Sequence, residues 1–156
     1  MRLARTADAP GPVAPPRVAE RMQPLPRALP AFASAASARR RLREEALGFL
    51  LVVAPGTGRL LGAVDHDALG RRACCSRRGG ACTVAQHLAP HVHFCFPDED
   101  VAEVAETEAE LASHGKVPAS RRIPLLVVDG ELKPLGIFRG EDADGGVEGG
   151  SRTRAA

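Results

Sequence analysis

Apolar residues along this chain come in two matching bursts. Residues 50–64 read Leu-Leu-Val-Val-Ala-Pro-Gly-Thr-Gly-Arg-Leu-Leu-Gly-Ala-Val. Residues 125–138 read Leu-Leu-Val-Val-Asp-Gly-Glu-Leu-Lys-Pro-Leu-Gly-Ile-Phe. Each is an apolar run, a short polar turn and a second apolar run entered through Leu-Gly, a pattern that predicts a β-hairpin. Farther upstream, Val18-Ala19-Glu20-Arg21-Met22 is echoed by Val84-Ala85-Gln86-His87-Leu88. A unit of this size present twice predicts a two-copy domain, since solenoids need shorter periods and more copies.

The elements between these landmarks repeat in the same order. In the first copy, residues 17–22 form a short helical turn stopped by Pro24 and Pro26. An extended stretch follows near Ala28–Phe32. Ser34 or Ser37 caps a helix to about Leu47, with Ala38, Leu42 and Ala46 on one face. Strands are predicted at Phe49–Val53 and Leu60–Val64, with Pro55–Gly58 as the turn and a short helix from about Asp65. In the second copy, Thr83 caps a helical turn and residues 92–96 are extended. A helix runs from Asp98 to about Ser113 with Val101, Val104, Ala105 and Leu111 as its apolar stripe. Strands follow at Ile123–Val128 and Leu135–Phe138 around an Asp129-Gly130 turn. The offset between copies grows from 66 residues at Val18/Val84 to 75 at Leu50/Leu125, so the second carries about nine extra residues near 115–123. The resulting division is a disordered arm at 1–16, a first repeat at 17–70, a linker at 71–82, a second repeat at 83–143 and a flexible tail at 144–156.

Composition narrows the function. With 156 residues, five Phe and neither Trp nor Tyr, the core is aliphatic. Aromatic platforms for single-stranded nucleic acid are not expected. The net charge of +2 hides an asymmetry. Residues 1–82 hold 14 Lys and Arg against 6 Asp and Glu, and residues 83–156 hold 7 against 13. A basic half can point to a polyanion, but the simpler expectation is two oppositely charged faces able to pair head to tail. The longest apolar stretch, near 46–54, is far short of the ~20 residues that span a bilayer. The first residues are rich in Arg and Pro and lack an apolar secretory core, so the expectation is a cytoplasmic protein with reduced thiols.

Cys74, Cys75, Cys82, His87, His91, His93 and Cys95 crowd into 22 residues. Thiolate and imidazole together suit zinc, yet no Cys-x-x-Cys is present and the spacing fits no standard finger, so no metal is assigned. His91, His93 and Cys95 alternate with Val92, Phe94 and Phe96. The expectation is that the second trio faces the core and the first faces solvent or a cleft. No nucleophile elbow, phosphate loop or His-Glu-x-x-His motif occurs, and catalysis is not expected.

The repeated order β-α-β-β-α, with its Leu-Val-Val hairpin and Leu-Gly step, resembles the cystathionine-β-synthase (CBS) domain. Two in tandem form the pair called a Bateman module. The resemblance covers about residues 17–143. It implies an α/β (α+β) fold of two repeats, each with a small mixed sheet, packed as a pseudo-twofold pair. It also implies a regulatory protein that commonly dimerises with itself and binds AMP, ADP, ATP or S-adenosylmethionine. The family's ligand signature is a hydrophobic-Pro step into the second strand, then Gly-hydrophobic-x-Ser/Thr-x-x-Asp after the third. In repeat two this signature falls on Ile123-Pro124 and on Gly136 through Asp142. Asp142 takes the ribose position, and Arg139 stands where the Ser/Thr would hold phosphate. A guanidinium can grip phosphate in a bidentate way. In repeat one Asp65 replaces the Ser/Thr and Asp67 comes one residue early, so the ligand is expected mainly in repeat two. The alternative that the resemblance implies is a ligand-free interaction or dimerisation module acting on a partner enzyme or transporter.

Overall fold

The computed structural model describes residues 11–45, 48–70, 82–114 and 123–140. In chain order the elements are α1 (Val18–Arg21), β1 (Ala28–Pro30), α2 (Ala35–Glu44), β2 (Phe49–Val53), β3 (Leu60–Asp65) and α3 (His66–Gly70). A 3-10 turn at Val84–His87, β4 (Phe94–Cys95), α4 (Val101–His114), β5 (Leu125–Val128) and β6 (Pro134–Phe138) complete them. Two three-stranded sheets result, ordered β1-β2-β3 and β4-β5-β6. In each, the outer pair joined by a helix is parallel and the hairpin pair is antiparallel, because only a crossover can join parallel neighbours. Both hairpins slip register at the same place, Val52/Val53 and Val127/Val128.

Strand alternation builds the interior. Leu50, Val52 and Val64 turn toward α2 and join Leu29, Ala38 and Leu42 in one buried cluster. Leu125, Val127 and Phe138 turn toward α4 and join Val101 and Val104 in a second. The opposite faces, Phe49, Leu51 and Ala63 of one sheet and Leu126 and Ile137 of the other, meet in a third. The molecule is therefore layered helix, sheet, sheet, helix.

The lead-in turns are exchanged. Val18 on α1 is fully buried in the cluster of repeat two, and Val84 on the 3-10 turn is fully buried in the cluster of repeat one. Backbone hydrogen bonds hold the exchange. Val18 and Ala19 donate to the carbonyls of Glu99 and Pro97, while Gln23 and Ile137 exchange bonds of 2.8 and 3.0 Å. Reciprocally, Val84 donates to Ala33, Ala35 donates to Cys82, and Ala89 donates to Ala63. The two Leu-Gly steps make room for this. A Cβ at Gly136 would stand 2.7 Å from the Gln23 carbonyl and 2.9 Å from the Met22 sulfur, and one at Gly62 would stand 3.3 Å from Leu88.

Several local expectations are corrected. Ser34, not Ser37, caps α2 by accepting the Ser37 amide, and α2 ends at Glu44. Thr83 makes no side-chain cap bond. Helix α4 starts at Val101, where Asp100 accepts the Ala102 amide, and Leu111 lies exposed rather than in its stripe. The expected faces hold at His91, His93 and Val92 but are reversed in β4 itself: Cys95 is 4% exposed and Phe94 is 52% exposed. The strand is only two residues long, and its register of Cys95 against Val127 puts the thiol under α4. Cys74, Cys75, the linker through residue 81 and the tail lie outside the described residues. Among the described residues, no helix is long and apolar enough to cross a membrane.

Gly136→Ala is expected to lower stability by about 1–3 kcal/mol, as overpacking does, because the obstacle is main chain that cannot rotate away. Gly62→Ala meets a Leu side chain at 3.3 Å and also places a Cβ at φ 156°, so it is expected to destabilise through the backbone rather than through a main-chain clash. Urea midpoints of the two variants measure both losses.

Candidate functional site

The antiparallel pairing of β5 and β6 sets Leu125 opposite Phe138. The residues just outside that pair are Pro124 and Arg139, so the register brings Ile123-Pro124 and Arg139 to one edge of the second sheet. Pro124 is buried and Ile123 is half-buried against the cluster between the sheets. Arg139 is half-buried at the exit of β6. Gly136 lies two residues before this edge in β6, beneath the α1 lead-in, with Gln23 and Met22 over its Cα. Asp142 lies outside the described residues.

Repeat one is built differently at the equivalent edge. Phe49 pairs with Asp65, and Asp65 accepts the Ala68 amide at 2.6 Å, so its carboxylate caps α3. Asp67 is exposed in the first turn of α3. It lies in the helix that follows the other sheet and is not brought to the Pro124/Arg139 edge by strand pairing.

One residue at the second-repeat edge has no counterpart in the sequence reading. Glu108, half-buried on α4, accepts the backbone amide of Gly140, the first residue beyond Arg139. A Cβ on Gly140 would stand 2.6 Å from the same carboxylate oxygen. Spacing could not reveal this contact, because it joins residues 32 apart from different elements. A glycine directly after Arg139 was the only signal.

The cysteine–histidine crowd disperses. Cys82 is buried in the first core and Cys95 in the second, His87 is buried, and His91 and His93 are exposed. Among the described residues, no three His, Cys, Asp or Glu side chains converge as a metal set would. Burial pushes the Cys95 thiol up to about 12, and the nearby Glu99 and Glu108 carboxylates add to the rise.

No protein-family model and no curated protein matches the sequence. Solved structures do match the fold. CBSX2 in complex with AMP superposes with a TM-score of 0.62 at 19% identity, covering 82% of this chain and 93% of that one. The CBS domain pair of protein MJ0100, in complex with 5-methylthioadenosine and S-adenosyl-L-methionine, gives 0.58 at 20%, covering 84% and 94%. The CBS domain of a bacterial CNNM/CorC family Mg2+ transporter in complex with ATP gives 0.61 at 17%, covering 82% and 84%. At these identities the likeness is one of fold.

A thiol held so high stays protonated and is a poor nucleophile. Cys95 is expected to resist iodoacetamide at pH 8 in the folded protein and to react once urea unfolds it, as peptide mapping reads. The raised value also fixes a sign. The thiol's contribution to stability is complete below its ordinary value of about 9 and is lost as pH climbs toward 12.

Proposed function

Because the chain folds as a tandem CBS domain pair, we propose that it is a cytoplasmic regulatory sensor, not an enzyme, that binds an adenosine-type ligand through repeat two. The reading is carried by the Leu125–Phe138 pairing, which sets Ile123-Pro124 beside Arg139. In this reading the apolar step at Ile123-Pro124 packs against the base. Gly136 belongs to the signature but supports the site from beneath, letting the α1 lead-in pass over β6, and Asp142 accepts from the ribose hydroxyls. Arg139 brings a cation to the 5′ end of the ligand. AMP, ADP, ATP and S-adenosylmethionine are the candidates, and three neighbours in fold were solved with adenosine compounds. Asp67 would be the remnant of a site in repeat one, where the capping role of Asp65 leaves an acid where phosphate would approach. Binding would act by holding the two repeats in one arrangement, since the edge abuts the cluster that joins the sheets.

Thermal unfolding against these four compounds tests the site. A ligand at about 100 times its Kd adds about 2.7 kcal/mol. A rise in Tm with at least one compound is expected, and Asp142→Ala is expected to abolish it. A panel that leaves Tm unmoved would sink the reading.

A second reading, self-association as an interaction module, is favoured by charge. Helix α2 carries exposed Arg40 and Arg43, and α4 carries exposed Glu103, Glu106 and Glu110. The two helices cover opposite outer layers. A second copy set head to tail brings the Arg face of one against the Glu face of the other. Sedimentation is expected to give a homodimer at low salt that dissociates as screening sets in. The double variant Arg40→Glu/Arg43→Glu is expected to remain monomeric.

A further inference from the structure

The backbone amide of Gly140, directly after Arg139, is held by a carboxylate of the chain itself, that of Glu108. Two features fix the Glu108 carboxylate there. The side chain is half-buried on a long helix rather than free in solvent. Residue 140 is a glycine, and a Cβ at that position would stand 2.6 Å from the carboxylate oxygen and crowd it. Its negative charge also reaches inward, where together with Glu99 it opposes ionisation of Cys95. Hydrogen bonds from an amide to an anion are among the stronger ones. A phosphate arriving at this edge must displace that anion or sit beside it, and like charges at close range repel strongly where water is partly excluded. Arg139 offers a single positive charge to set against that repulsion.

We propose that Glu108 makes the repeat-two site select by charge, taking adenosine compounds whose 5′ substituent is neutral or cationic and disfavouring those that end in phosphate. This rests on the adenosine site proposed above and names the class of ligand it takes. Glu108 is a specificity-determining residue, an anion tethered to the residue after Arg139. An adenosine whose 5′ carbon carries a thioether leaves the Glu108–Gly140 bond intact. A sulfonium gains attraction from the carboxylate.

Calorimetric titration of the full chain with 5′-methylthioadenosine, S-adenosylmethionine, AMP and ATP tests this, alongside Glu108→Gln and Glu108→Ala. The wild type is expected to bind the thioether or the sulfonium at least tenfold more tightly than AMP or ATP. Glu108→Gln is expected to raise affinity for AMP and ATP about tenfold and to change the thioether's affinity less than twofold. Glu108→Ala, which also removes the hydrogen bond, is expected to give the same shift in preference, provided its Tm matches that of Glu108→Gln. A wild type that prefers AMP or ATP, or variants that change all four affinities equally, would overturn the charge selection and leave the adenosine site standing. Absence of binding by all four compounds to all three proteins would overturn both.

Discussion

Val18 completes a core to which its own repeat does not belong, and the remaining architecture follows from that burial. With Val18 in place, the backbone of residues 18–23 is bonded to Pro97, Glu99 and Ile137. Gly136 must then stay a glycine, and the edge of the second sheet is closed on one side. The reciprocal burial of Val84 does the same for the first sheet. The exchange converts two small hairpin units into one body. Each three-stranded sheet is apolar on both faces and covers one of them with its own crossover helix. Each gains a helical turn from its neighbour and a shared wall of Phe49, Leu51, Ala63, Leu126 and Ile137.

The pseudo-twofold arrangement leaves the repeats alike in backbone and unlike in chemistry. Both hairpins share a bulge, a Leu-Gly step and a crossover helix. Their turns differ: the first uses Gly56 and Gly58 at positive φ, whereas the second holds Leu132 at φ 62° and uses the Asp129 carboxylate to hold the amides of Glu131 and Lys133. The tips touch where Leu60 donates to the Leu132 carbonyl. At the other ends the divergence bears on function. Asp65 is spent as a cap in repeat one, while repeat two keeps a proline entry and an arginine exit.

What could be read from the chain was local and periodic. The hairpins, their turns and the crossover helices followed from period-2 apolar runs and from Gly, Pro and Ser punctuation, and the strand register then placed Ile123, Pro124 and Arg139 together. Long-range choices were not legible. Val18 and Val84 carry the same sequence context whichever core they enter, so nothing in the pattern marked the exchange. The faces of β4 misled because alternation over two residues has no statistical weight, and tertiary register decided for Cys95. Leu111 looked apolar enough to be inward, but α4 has turned past the sheet by its last turn. Glu108 was invisible for the same reason as the exchange: its partner is chosen by packing.

The exchange also has a consequence for how the chain is made. A protein leaves the ribosome from its N-terminus, and domains ordinarily condense as their own residues emerge. Here the first helical turn finds its place only against residues 95–138 of the second repeat, about eighty to one hundred and twenty positions later. The first sheet likewise waits for Val84. The first core can close once the chain has emerged past Val84, but the second core and the wall between the sheets wait for β5 and β6, so the two halves close in sequence. Over that interval the Phe49, Leu51 and Ala63 face of the first hairpin is an unprotected surface that a chaperone would be the first to meet.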